Sequence, residues 1–225
     1  DAATIRCKLI EIRAATENEL HSVSEEAKQG SIAYAKDVVR SDHWLLEFRD
    51  GELVLVQLNL QDAIQQTHHL TNFPKADHLE RAEDFRITAV DGAVFIGFDR
   101  LLFRFFDGEL QRTELPSPVD DFSASPTMLA ISMETGAGLA RLDRDWRRIR
   151  TFAQSSMHPL LGFTANGFLI AADERFVRVF SMQNDQIALK TSIEARRDQQ
   201  AILPGPNAGR FRVITKRDCA VYELS

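Results

Sequence analysis

The sequence predicts an all-β fold of five four-stranded sheets, closed by pairing of the N-terminal strand with the last sheet. Three observations carry this expectation. A strand-strand-strand unit recurs about every 40 residues, the period range of radially repeated β-architectures. Asp-Gly and Asn-Gly dipeptides punctuate the apolar runs at 50–51, 91–92, 107–108 and 166–167, and such dipeptides mark tight hairpins because the favoured turns need positive φ. Finally, the chain opens on an unpaired strand-like segment, Thr4 to Ile12, and ends on Cys219 to Leu224, one strand short of a full unit.

The elements follow in order. Thr4 to Ile12 is the opening strand. Thr16 to Gly30 fits two readings: a strand with an inner segment at Leu20 to Ser24, or a helix capped at Thr16 and Glu19 and ended by Gly30. Ser31 to Val39, Trp44 to Phe48 and Glu52 to Leu60 read as strands around the Asp50-Gly51 turn. Gln61 to Asp84 is polar, is broken at Pro74, and reads as an insertion of loop or short helices. The clearest unit follows, with strands Arg86 to Val90, Ala93 to Phe98, Leu101 to Phe106 and Glu109 to Leu115. Its two apolar inner strands and charged outer strand suit a sheet running from a buried edge to an exposed one.

The next unit has strands Phe122 to Ser125, Met128 to Met133, Gly138 to Leu142 and Trp146 to Phe152. A further unit has Leu160 to Thr164, Phe168 to Ala172, Phe176 to Ser181 and Gln186 to Ile193. The last has Ala201 to Leu203, a turn at Asn207 to Gly209, Arg210 to Thr215 and Cys219 to Leu224. Gly92 and Gly167 lie 75 residues apart and Gly167 and Gly209 lie 42 apart, both consistent with the repeat. Gly51 and Gly108 are 57 apart, which assigns roughly 20 extra residues to Gln61–Asp84. Long insertions in compact domains are more often functional than accidental, so this segment is the leading interaction candidate.

Composition bounds the function. The 225 residues, 44% of them hydrophobic, suffice for one large core, and a single domain over 1–225 is expected. Twenty-seven Lys and Arg against thirty-three Asp and Glu leave a formal charge of -6, which disfavours a phosphate backbone as partner. No apolar run of roughly eighteen residues is present to span a bilayer as a helix, and no signal peptide is visible. A cytoplasmic protein is the resulting expectation. Two cysteines do not make a disulfide framework. Closure brings Cys7 and Cys219 onto neighbouring strands, but a register placing Cys219 opposite Leu9 leaves them about two positions apart, too far for a bridge. Free thiols are expected.

The repeat resembles the β-propeller superfamily over nearly the whole chain, including its WD-repeat and quinoprotein-like members. The resemblance is architectural: no unit carries the Gly-His and Trp-Asp pairs of a WD repeat, Asp145-Trp146 being reversed, and no Gly-Gly pair marks a kelch blade. It implies a five-bladed ring and carries over no functional residue.

Propeller glycosidases use paired carboxylates on strands lining the central channel. The expected innermost strands contain no Asp or Glu, and Asp84, Asp120 and Asp121 just precede two of them, where with His158 they could rim a channel mouth. That arrangement supports the alternative of a hydrolase or carbohydrate-binding propeller; solvated turn acids are the plainer account. His68, His69 and His78 match no metal-ligand spacing, so no metal is expected. No nucleophile elbow, phosphate-binding glycine loop or paired-Cys motif is present, and no cofactor is expected.

The densest charge cluster, Arg141, Arg144, Arg147, Arg148 and Arg150 around Trp146, reads either as a contact patch for an acidic partner or as charges protecting an outer strand edge. The favoured function is a non-catalytic protein-interaction or scaffold module. Its candidate contact residues are His68, His69, Phe73 and His78 in the insertion and Trp146, Arg147 and Arg148 on the rim. Membership in a larger assembly is the remaining possibility.

Overall fold

A computed structural model describes residues 5–16, 31–37, 39–40, 42–61, 63–71, 73, 85–153, 159–183, 186–195, 198–205 and 207–225. Among these residues there is no helix; twenty strands form five four-stranded antiparallel sheets. The chain divides into two compact units. The first comprises Asp1–Ser24, Ala130–Leu139 and Ile149–Ser225, the second Glu25–Leu129 and Ala140–Arg148.

The second unit holds two complete sheets. One is ordered β2 (Ser31–Lys36), β3 (His43–Arg49), β4 (Glu52–Leu58) and β5 (Ile64–His69). The other is β6 (Phe85–Val90), β7 (Ala93–Phe98), β8 (Leu101–Phe106) and β9 (Glu109–Glu114). Their facing sides share a core of Trp44, Leu46, Leu55, Val94, Ile96, Phe103 and Phe105, all buried. Alternation explains the composition: successive strand residues point to opposite faces, so every second apolar side chain of these runs enters this core.

Turn chemistry fixes the hairpins. Asp50-Gly51, Asp91-Gly92 and Asp107-Gly108 all adopt positive φ at both residues, as the tight turns read from the sequence require. The strand β6 lies beside both β2 and β10 (Val119–Ser125). Asp37, just beyond β2, staples the first of these contacts: its buried carboxylate accepts backbone N–H groups from Val39, Arg40, Asp91 and Gly92.

In the first unit, β14 (Leu160–Phe163), β15 (Leu169–Ala172), β16 (Phe176–Gln183) and β17 (Gln186–Glu194) form one sheet. The other is ordered β1 (Cys7–Ala14), β20 (Asp218–Leu224), β19 (Arg210–Thr215) and β18 (Gln199–Pro204). Ile170, Val177, Val179, Phe211, Val213 and Tyr222 make its core. Gly162 permits the close approach of β14 to β18, since a Cβ there would sit 2.5 Å from Ile202 Cγ2. The fifth sheet is β10, β11 (Met128–Met133), β12 (Gly136–Arg141) and β13 (Arg150–Ala153), with residues in both units.

The opening and closing segments of the chain do pair. Lys8 stands opposite Glu223 and Leu9 opposite Tyr222. The register differs from the expected one: Cys219 faces Arg13, and Cys7 faces Leu224. The separation of the two cysteines is thus larger than expected, neither is in a disulfide, and burial pushes the Cys7 thiol up to about 11.

Other expectations need correcting. Val119–Ser125 is longer than the expected strand and includes Asp120 and Asp121. The fourth strand of that sheet is Arg150–Ala153, so Trp146 lies in the preceding turn. Most informative is β5, which occupies part of the expected insertion: His68 and His69 are strand residues, and β2 takes the sheet-edge position expected for Leu20 to Ser24. Residues 17–30, and with them the choice between helix and strand, lie outside the described residues.

Candidate functional site

The site begins with an arginine inside an apolar strand. In β8, Leu-Leu-Phe-Arg-Phe-Phe, period two sends Phe103 and Phe105 into the core while Leu102, Arg104 and Phe106 take the other face. Arg104 stands between Phe95 on β7 and Gln111 on β9. Its guanidinium lies over the Phe106 ring, 4.8 Å from the centroid. The Arg104 Nε is buried and has no hydrogen-bond partner among the described residues.

The turn after β12 supplies the second half. Asp145 organises it twice: its carbonyl accepts from Arg148 N at 3.1 Å and its carboxylate from Arg147 N at 3.1 Å. Trp146 is thereby turned inward, 6% exposed, and meets Phe95 edge-on with centroids 6.0 Å apart. Arg147 is exposed, lies 5.5 Å over the Trp146 ring, and reaches Gln111 Oε1 with a long 3.4 Å contact.

Each guanidinium therefore lies over its own ring, Arg104 over Phe106 and Arg147 over Trp146. Burial, and then the charge of Arg147, hold the Arg104 pKa below its ordinary value. Among the described residues no carboxylate pairs with Arg104 or Arg147. The neighbouring arginines differ: Arg141 forms an ion pair with Asp143, whose pKa is lowered by the Arg141 hydrogen bond and further by the charge of Arg144.

The other expected contact residues are dispersed. Phe73 is 8% exposed and packs 4.2 Å from Phe103 and 5.9 Å from Phe85, a core position that offers a partner no surface. His68 is half-buried, its ring 4.7 Å from that of Phe105, and burial lowers its pKa. His69 is exposed and meets Glu52 through Nδ1 at 3.0 Å. Arg148 is exposed beside Arg147.

His78, Asp84 and His158 lie outside the described residues. Asp120 and Asp121 are consecutive on β10, so their side chains leave opposite faces of the strand. The Asp120 carbonyl accepts from Arg86 Nε, and Asp121 accepts from the Phe122 amide. Among the described residues no group of three His, Cys, Asp or Glu is arranged to hold a metal.

Arg104, Phe106 and Gln111 were absent from the sequence-derived candidates. The available signal was a lone charge in the middle of a buried run, which alternation turns into a charge at the margin of a packed face.

No family model matches the sequence, and no curated protein does. Solved structures do. Streptogramin B lyase is similar with a TM-score of 0.61 at 12% identity, covering 89% of this chain and 67% of the other. Hsv2p of Kluyveromyces lactis gives 0.59 at 12% identity, covering 83% and 57%. A functionally unknown protein of Desulfotomaculum acetoxidans gives 0.64 at 14% identity, covering 85% and 67%.

The fold is that of a β-propeller. No specific family is identified. The chain spans about two thirds of the lyase and little more than half of Hsv2p, and identities this low carry the propeller fold alone.

Proposed function

We propose that the chain is a non-catalytic interaction module: a five-bladed propeller, closed through the β1–β20 ladder, that docks another protein on the face of Phe106, Trp146, Arg147 and Arg148. The observation that carries this reading is the pairing of a buried Trp146 with an exposed Arg147 that no carboxylate among the described residues neutralises. Arginine and tryptophan in this arrangement form the usual anchor of a protein contact, because the ring contributes apolar area at little entropic cost and the guanidinium contributes directional donors. Loop and turn residues held by a β-scaffold are the common place for such anchors.

The formal charge of -6 supports a partner contact that is local and basic rather than a long polyanion. The open edge of β5, with Ile64 61% exposed, offers a second surface from the segment first expected to bind.

Selection of short random peptides displayed on phage against the full chain tests the proposal. Selected peptides should bind an Arg147→Glu, Arg148→Glu double variant at least about tenfold more weakly by calorimetry, or about 1.4 kcal/mol. Peptides that bind the variant equally, or no selectable peptide, would refute the face.

A further inference from the structure

We infer that Arg104, Phe106, Gln111 and Arg147, neighbours through strand pairing and ring and hydrogen-bond contacts, form a specific site for one carboxylate group, the side chain of a Glu or Asp in the docked partner. The inference rests on the interaction reading and names the chemistry that the face selects.

The polar groups gathered here are mostly donors, and the one acceptor, Gln111 Oε1, is already engaged by Arg147. The Arg104 Nε–H is buried with no partner among the described residues. Arg147 brings a second guanidinium close enough for its charge to be felt at Arg104. The Gln111 amide is oriented by its oxygen, which faces Arg147 at 3.4 Å, and this leaves its two N–H bonds to donate. Donors in excess of acceptors select an anion.

Donor geometry and surroundings narrow the anion to a carboxylate. Guanidinium groups match the planar two-oxygen carboxylate through paired hydrogen bonds. The Phe106 ring, 41% exposed, gives the short aliphatic stem of an acidic side chain an apolar wall. The acidic balance of the chain opposes a multiply charged polyanion approaching from a distance. Without ligand, the partly buried Arg104 charge also feels the like charge of Arg147, an arrangement that costs stability in the free protein. Local rules broken in this way mark functional positions.

The test follows the Arg104 Nε–H resonance in nitrogen-15-labelled full-length protein, assigned with an Arg104→Lys variant. The probes are N-acetylglutamate α-amide, its glutamine isostere and inorganic phosphate. The glutamate probe should move the resonance downfield in a saturable manner, the glutamine probe should not, and Arg147→Gln should weaken the response about tenfold. An unchanged backbone spectrum confirms that the exposed Arg147 variant is folded.

Equal responses to glutamate and glutamine probes, or no response to either, would overturn the site. A response to phosphate alone would overturn the carboxylate assignment. Selected peptides that bind the face yet ignore a Glu→Gln exchange would sink this inference and leave the interaction reading standing. A glutamate response without any selectable peptide would do the reverse.

Discussion

Asp37 should be the most sensitive single position in the second unit. Its carboxylate is 2% exposed and accepts four backbone N–H groups: Val39, Arg40 and Asp91 on Oδ1 at 2.8, 2.8 and 3.0 Å, and Gly92 on Oδ2 at 2.7 Å. Two donors come from the turn after β2 and two from the β6–β7 turn, so one side chain ties two sheets together. A hydrogen bond to a charged group contributes about 1.5–3 kcal/mol net, and the four are not additive because they share two oxygens. Asp37→Ala should cost about 3–5 kcal/mol, less than the simple sum because water will reach some of the stranded amides. Asp37→Asn keeps one accepting oxygen and should lose about half as much.

The pH dependence follows from the same geometry. Burial alone would raise the Asp37 pKa, but the four backbone donors outweigh it and leave the carboxyl below its ordinary value. The folded state therefore favours the charged form. That stability is fully present above the unfolded value of about 4 and is lost as pH falls through the lower folded value. Urea unfolding of wild type and both variants at neutral and acidic pH measures the effect. A neutral-pH loss below about 1 kcal/mol in Asp37→Ala, or a wild-type advantage that does not shrink in acid, would refute the staple.

Three further outcomes are expected. Because burial lowers the pKa of His68, stability should fall as pH drops below the ordinary value of 6.5 and level off once the folded chain protonates; thermal melts of His68→Phe should show that slope flattened. Gly97→Ala would bring a Cβ within 2.7 Å of Phe122 Cζ and 3.0 Å of Val119 Cγ1, so it should destabilise by about 1–3 kcal/mol in urea titration, and a neutral result would contradict the β6–β10 packing. Arg13→Cys should form a disulfide with Cys219 under mild oxidation, seen as a gel shift, because the two residues are direct cross-strand partners; cross-linking by Leu9→Cys instead would show the register to be wrong.

The hairpins were legible because their chemistry is local. Asp91-Gly92 and Asp107-Gly108 demand positive φ at both residues, and only a tight turn supplies it. A dipeptide does not reveal which hairpin it closes, however. Asp50-Gly51 joins the second and third strands of its sheet, whereas Asp107-Gly108 joins the third and fourth. The equivalent of Asp50 is Asp99, 49 residues on, so part of the apparent insertion was a comparison of unlike turns.

The strand β5 stayed hidden for a related reason. Ile-Gln-Gln-Thr-His-His is exposed at five of six positions, and an outer strand paired on one edge needs no apolar alternation. The rim cluster around Trp146 was visible as charge density, but Arg104 was not, since it lies 43 residues from Arg147 in sequence and the two share a neighbour, Gln111, only in the folded chain. Long-range assembly of this kind leaves no periodic trace.

The most direct measurement is the effect of Arg104→Met on stability and on ligand response together. If Arg104 is a charge kept partly dehydrated to receive a carboxylate, replacing it with an apolar chain of similar length should leave stability unchanged or raise it by about 1 kcal/mol. That corresponds to a Tm rise of about 2–4 °C in a chain of this size. Selected peptides should at the same time lose affinity about tenfold or more. A lower Tm with peptide affinity intact would contradict the account, because Arg104 would then be a structural residue and not the donor on which recognition depends.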